Sequence, residues 1–196
     1  MSSIISTFIP EIIIGKNYND YMENIFPTLP VIADNKLSMI DQSIIHADEG
    51  GYWLEFGVHS GETITHTAGR KLGVPNLTIH GFDSFEGLPE DWLQPETGHT
   101  NLKGHFDLEG KIPQNLLCVH NINIIKGWFD KSLPKFIKEN DINKISFLNI
   151  DSDLYSSANT VLTLLTPYFK GHCVVYFDEF CNYPGGENGE YKAFSE

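Results

Sequence analysis

Cysteine is scarce. Cys118, Cys173 and Cys181 are the only three in 196 residues, and no two stand in a Cys-x-x-Cys pair. So odd and scattered a set excludes a disulfide framework and a cysteine zinc site, and points to a reducing, cytoplasmic setting. Basic residues are also few: 13 Lys and Arg face 26 Asp and Glu, for a net charge of −13 with His neutral. A surface that acidic repels polyphosphate, which argues against nucleic acid as a partner and for cations and small polar ligands. Long apolar runs are missing. The segment Met1 to Pro10 has no basic stretch, Glu11 interrupts it, and nothing approaches the roughly 20 apolar residues that span a bilayer, so neither an export signal nor a membrane segment is expected. There is no internal repeat. Two nucleotide signatures are absent as well: GxGxxG would need glycine where His59 stands, and the Gly-Lys-Ser/Thr of a P-loop does not occur. A pyrophosphate ligand, and with it a nicotinamide-dependent oxidoreductase, is disfavoured.

What remains is a chain of one-domain size with 41% hydrophobic residues, large enough to bury a core without staples. Five short apolar runs, Tyr52 to Val58, Thr78 to Asp83, Ile122 to Lys126, Ile145 to Ile150 and Cys173 to Phe177, read as strands buried on both faces. Plausible crossover segments alternate with them: Glu62 to Leu72, a loop-rich excursion ending near Asn115 to Cys118, Lys131 to Asn140, and Ser156 to Phe169. The β-α alternation predicts an α/β fold on a parallel sheet. Ser157 is the expected cap of the last helix, and Pro167 is expected to end or kink it. Residues 1–50, with weak periodicity from Leu37 to Ile45, read as a cap segment over a single domain of residues 51–196. The stretch Gly87 to Gly110 has no clear periodicity and reads as a long functional loop.

In such a sheet, ligands bind beyond the carboxyl ends of the strands. The first strand runs through Glu55, Phe56 and Gly57 to Ser60 and Gly61, with glycine where the backbone turns sharply and a ligand comes close. Asp83 closes the second strand, placed to accept hydrogen bonds from both hydroxyls of a ribose. An acid, two glycines and a ribose-binding Asp, without a phosphate cradle, suit S-adenosylmethionine. Asp151 after the fourth strand and Asp178 with Glu179 after the fifth bring carboxylates together, and a divalent oxygen-loving ion such as magnesium relieves their repulsion. Asp153 is left open between ligand and turn-former. His59, His80, His99 and His105 are rival candidates for a general base. The segment from Asn182 to Gly186 reads as a turn at the wall of the site.

The strings LEFGVHSGETI, IHGFDSFEGLPEDW, GHF, IIKGWFDKSLP, ISFLNIDSDLYSSANTVL and VVYFDEF, spread in order over about residues 50 to 182, resemble the macrocin O-methyltransferase family. The resemblance implies a Rossmann-like class I methyltransferase sheet of five parallel strands, order 3-2-1-4-5. The implied activity is transfer of a methyl group from S-adenosylmethionine to a hydroxyl of a small sugar or polyol. It implies that Gly57 and Ser60 line the methionine moiety, that Asp83 takes the ribose with help from Ser84, and that Gly127, Trp128 and Phe129 edge the adenine. It also implies magnesium on Asp151, Asp178 and Glu179; Glu179 departs from the family's usual second Asp. A sugar hydroxyl is a weak acid, and Asp151 is the first choice for a ligand that also takes part in removing its proton. The chain stops at Glu190 to Glu196, in what reads as the helix after the fifth strand, so the usual C-terminal strand pair is expected to be missing. That leaves a shortened form, or an edge covered by another subunit in a homo-oligomer. The alternative expectation is a cofactor-binding or assembly subunit of the same fold with impaired turnover.

Overall fold

The structure, a computed structural model, describes residues 5–6, 35–94, 98–180 and 185–196. In chain order its elements are β1 (Ile5–Ser6), α1 (Lys36–Ile44), β2 (Tyr52–Phe56), α2 (Glu62–Arg70), β3 (Ile79–Asp83), β4 (Trp92–Gln94), β5 (His99–Asn101), β6 (Ile122–Lys126), α3 (Phe129–Glu139), β7 (Ile145–Ile150), α4 (Tyr155–Leu165), β8 (Val174–Phe177) and α5 (Glu190–Ser195). The main sheet has the order β1-β8-β7-β2-β3-β6. The four pairings that join the five strands from β8 to β6 are parallel, which gives the expected order 3-2-1-4-5 when those strands are counted along the chain.

Alternate strand residues face opposite layers, so each strand feeds two cores. On one face Leu54, Phe56, Phe82, Leu148, Ile150 and Phe177 pack against Leu133 and Phe136 of α3, Val161 and Leu165 of α4, and Tyr191 of α5. On the other, Trp53, Ile79, Phe147 and Tyr176 pack against Met39, Ile40 and Ile44 of α1 and Ile64 and Ala68 of α2. Helices on both sides explain why the strands read as nearly unbroken apolar runs.

The weakly periodic segment near Leu37 is α1. Asn35 caps it, its Oδ1 accepting from Ser38 N at 3.0 Å, and Met39, Ile40, Ser43 and Ile44 form its buried face. Asp41 on its outer side pairs with Arg70 at 2.6 Å and with His66 at 2.8 Å, tying α1 to α2. Helix α4 begins at Tyr155, two residues before the expected cap Ser157, with Leu154 as its N-cap. It ends at Leu165, and Thr166–Tyr168, which holds Pro167, continues as one 3₁₀ turn. Within the stretch Gly87 to Gly110, β4 and β5 form a small antiparallel hairpin that periodicity could not reveal in three-residue strands.

One expectation is corrected. The sheet edge beyond the fifth parallel strand is not left bare: β1 runs antiparallel to β8, with Ile5 opposite Tyr176 and Ser6 opposite Val175. The pairing expected of another subunit is met in part by the chain's own N-terminal segment. Residues 7–34, and Asn182 to Pro184 of the expected late turn, lie outside the described residues. Among the described residues no helix is long and apolar enough to cross a membrane.

Candidate active site

The parallel strands end in step because four of the five are followed by one more backbone rung. Gly57 N donates to Phe82 O at 3.0 Å, Gly127 N to Asp83 O at 2.8 Å, Asp151 N to Phe56 O at 2.9 Å and Asp178 N to Ile150 O at 3.0 Å. The residues that follow the strands therefore converge on one crevice, a cavity of about 650 Å³. That size suits a small-molecule site. Gly57, Asp83, Ser84, Trp128, Phe129, Asp151, Asp178 and Glu179 all line it. The sheet order sets Asp83 and Trp128, after β3 and β6, to one side of β2, and Asp151 and Asp178, after β7 and β8, to the other.

Asp83 is tied down by the backbone. Its Oδ2 accepts from Val58 N at 2.8 Å and His59 N at 2.7 Å, and its Oδ1 from Phe85 N at 2.7 Å. A carboxylate has about four acceptor positions, so roughly one remains open to the cavity, rather than the two expected for a ribose diol. Ser84 is partly spent as well, its Oγ accepting from Glu86 N at 3.0 Å. Trp128 and Phe129 start α3 at the cavity wall, and Phe129 also packs edge-on against Phe56.

Five of the expected cofactor residues do not line the cavity. Phe56 is fully buried and stacks on Phe82. Ser60 is exposed, its carbonyl accepting from Asn115 Nδ2 at 3.3 Å. Gly61 takes a left-handed conformation as the N-cap of α2, and Gly127, at φ 141°, shapes the turn that delivers Trp128. Glu55 is buried, its carboxylate accepting from Thr63 Oγ1 at 2.6 Å and Asn149 Nδ2 at 3.0 Å.

Burial pushes Glu55 up to about 7, against those two hydrogen bonds. Because the folded value lies above the ordinary 4.5, the unfolded chain loses this proton first as pH rises. The stabilisation is complete below about 4.5 and is lost on the way to about 7, by up to ~3 kcal/mol. Glu55→Gln, neutral throughout, is expected to remove that part of the pH dependence. Asn149 Oδ1 has no hydrogen-bond partner, so a turned Asn149 amide can accept from the new Gln. Urea midpoints of both proteins at pH 4.5 and 7 check it; equal slopes with pH would reject it.

The acidic side of the cavity holds a residue that the sequence did not suggest. Lys36, first residue of α1, places Nζ 2.6 Å from Asp151 Oδ2 and 3.0 Å from Asp178 Oδ2. It is the only Lys or Arg among the described residues lining the cavity. Burial opposes its charge, but Asp151 and Asp178 outweigh burial and hold it above the ordinary lysine value. Burial and the charge of Asp178 drive Asp151 well up, with Lys36 pulling against them. Asp153, in a left-handed conformation, is pushed up to about 6 by burial and Asp178. Burial and then Asp178 push Glu179 up to about 7. Among the described residues, the one ammonium beside these carboxylates leaves a surplus of negative charge facing the cavity.

Behind them lies a second residue the sequence did not flag. Glu190, fully buried at the start of α5, accepts from Ser152 N at 3.3 Å and Glu179 N at 3.0 Å, joining the turns after β7 and β8. Burial raises its carboxyl well above the usual range. Of the histidines weighed as bases, His59 lines the cavity and meets Phe106 edge-on. His105 packs on Phe106. His80 lies against Tyr52 and Phe136, where burial lowers it to about 4.

The expected magnesium does not fit these side chains as they stand. Lys36 Nζ holds the position between Asp151 and Asp178, and Glu179 makes no ion pair with it. Among the described residues no group of three His, Cys, Asp or Glu side chains is arranged to hold a metal ion.

Residues 33–190 match the family described as macrocin-O-methyltransferase (TylF). The chain belongs to that family. Membership makes it an O-methyltransferase and implies S-adenosylmethionine as methyl donor. No curated protein matches it in sequence. Among solved structures it is similar to CalS11, a calicheamicin methyltransferase, at 24% identity over 90% of this chain and 75% of that one, with a TM-score of 0.65. It is also similar to the O-methyltransferase NovP, at 23% identity over 82% and 69% of the two chains, with a TM-score of 0.59. At these identities the likeness is one of fold. In this macrocin-O-methyltransferase family member the Asp83 side of the cavity offers the groups a nucleoside would need: an Asp carboxylate with an open acceptor position, an adjacent hydroxyl and an aromatic wall, beside a glycine with no side chain.

Proposed function

We propose that this O-methyltransferase methylates a hydroxyl of a sugar or related polyol, with S-adenosylmethionine held by Gly57, Asp83, Ser84, Trp128 and Phe129. The observation that carries the reading is the division of one cavity into a nucleoside-fitting side and a carboxylate side where, among the described residues, Lys36 is the one lysine or arginine. The solved relative CalS11 is a TDP-rhamnose 3'-O-methyltransferase, which supports a glycosyl acceptor. The negative surplus beside Asp151 also favours a cationic donor. When bound, S-adenosylmethionine supplies an electrophilic methyl carbon whose bond to sulfur breaks as the new O–C bond forms.

The chain's own residues then have two tasks, alignment and proton removal. Asp151 accepts the hydroxyl proton at its carboxylate; its raised affinity for protons, caused by burial, suits a base for a weakly acidic hydroxyl. Lys36 offers its ammonium to the oxygen that gains charge. Glu190 holds the two turns carrying Asp151 and Asp178 at a fixed separation. Selection among acceptors falls to α1 with the rest of the 1–50 cap, and to the stretch Gly87 to Gly110, where Trp92 and Phe106 reach the cavity.

Calorimetry with S-adenosylmethionine and its demethylated product is expected to show micromolar-range binding. Labelled methyl transfer to a panel of nucleotide-linked sugars is expected to find an acceptor. No heat with either cofactor form would reject the reading; binding without transfer to any sugar or polyol would favour a subunit without turnover.

A further inference from the structure

Lys36 stands at a point where electrostatics demands a cation. Asp151 and Asp178 end adjacent parallel strands, and their carboxylates turn toward the same space. Two anions this close need a positive charge between them, from an ion or from the protein. Here the protein supplies it, at 2.6 Å and 3.0 Å. The placement is built from several elements. Asn35 caps α1, while Met39, Ile40 and Ile44 seat that helix in the core formed with Trp53, Phe147 and Tyr176. The first residue of α1 is thereby delivered over the tips of β7 and β8.

An ammonium has three protons. Two are directed at Asp151 and Asp178, which leaves the third for an oxygen in the cavity that Lys36 lines. A magnesium ion would need the same two carboxylates at roughly 2.0–2.1 Å, and it would have to force the ammonium away or stand beside it as a like charge. Glu179, the expected third ligand, has its backbone held by Glu190 and takes no part in the ion pair.

We propose that Lys36 is the resident cation of the acceptor side, replacing a divalent ion between Asp151 and Asp178 and offering its third N–H as a hydrogen bond to the acceptor oxygen, while keeping its proton. The inference rests on the O-methyl transfer reading above and deepens it: acceptor activation comes from a side chain and not from a metal.

Manganese is the probe, followed by electron paramagnetic resonance on the full chain saturated with S-adenosylhomocysteine. The native protein is expected to show no manganese site tighter than roughly 1 mM, the level of the weakest functional divalent-cation sites. Lys36→Met, which removes the charge and keeps the aliphatic arm, is expected to open a site that binds about tenfold tighter or better, because the ammonium that occupies the space between the two carboxylates is then gone. A sub-millimolar site in the native protein that Asp151→Asn or Asp178→Asn abolishes would overturn the proposal. So would a Lys36→Met protein that binds S-adenosylhomocysteine normally yet gains no manganese site. If Lys36→Met does not fold, the titration of the native protein decides alone. Failure of the native protein to bind S-adenosylhomocysteine would strike the methyltransferase reading, and is scored separately from the manganese signal.

Discussion

Gly57→Ala is expected to destabilise the protein by about 3 kcal/mol or more and to abolish S-adenosylhomocysteine binding. Two causes act together. Gly57 has φ of 90°, where a side chain is strained whatever the space around it. A methyl group there would also stand 1.8 Å from the carbonyl oxygen of Asp151, far inside van der Waals contact. The obstacle is backbone and cannot rotate aside, so the tips of β2 and β7 would have to separate. That movement breaks the rung from Asp151 N to Phe56 O and displaces Asp151 from Lys36. Gly69→Ala, in α2 with nothing within 4 Å of the added carbon, is the control and is expected to be neutral or to stabilise by up to ~1 kcal/mol. Urea unfolding midpoints and calorimetry read both variants. A Gly57→Ala protein as stable as the native one would show that the strand tips are not this close.

Asp83→Ala is expected to weaken S-adenosylhomocysteine binding by about a hundredfold or more and to cost roughly 2–4 kcal/mol of stability. Three backbone N–H groups, of Val58, His59 and Phe85, lose their acceptor at once. Those bonds hold the turn after β2 in the shape that leaves His59 in a left-handed conformation at the cavity. Water can reach part of this site, which keeps the stability loss below the sum for three buried donors. The affinity loss is larger because the variant also removes the open acceptor position and loosens the turn beside Gly57. Asp83→Asn retains one carbonyl acceptor and should fall between. If Asp83→Ala lowers the unfolding midpoint but leaves the binding heat unchanged, Asp83 supports the loop and does not touch the cofactor.

Local pattern and tertiary placement contribute differently to what is legible. Ile122–Lys126 and Ile145–Ile150 are strands at the bounds read from their apolar runs, because a strand covered on both faces leaves a continuous record of that burial. Pro167 marks the end of α4 because a ring on nitrogen cannot continue the hydrogen-bond ladder. Gly57 is legible as a glycine that something must approach closely. What approaches within the protein is the Asp151 backbone, a partner that no spacing along the chain discloses. The same holds for Glu55: an acid at the end of the first strand reads as a cofactor contact, while its actual partners, Thr63 and Asn149, depend on which face of β2 meets α2 and β7.

By itself, then, the order of residues determined the parallel α/β sheet, the acidic strand tips and their convergence, since burial period and chain alternation are written locally. Only the tertiary structure decided how the charges there are balanced. Lys36 lies 115 residues from Asp151 and carries no motif, and Glu190 looks like any helix-starting acid. Each acquires its role through helix docking against the sheet, and Coulomb interactions depend on distance in space, not along the chain.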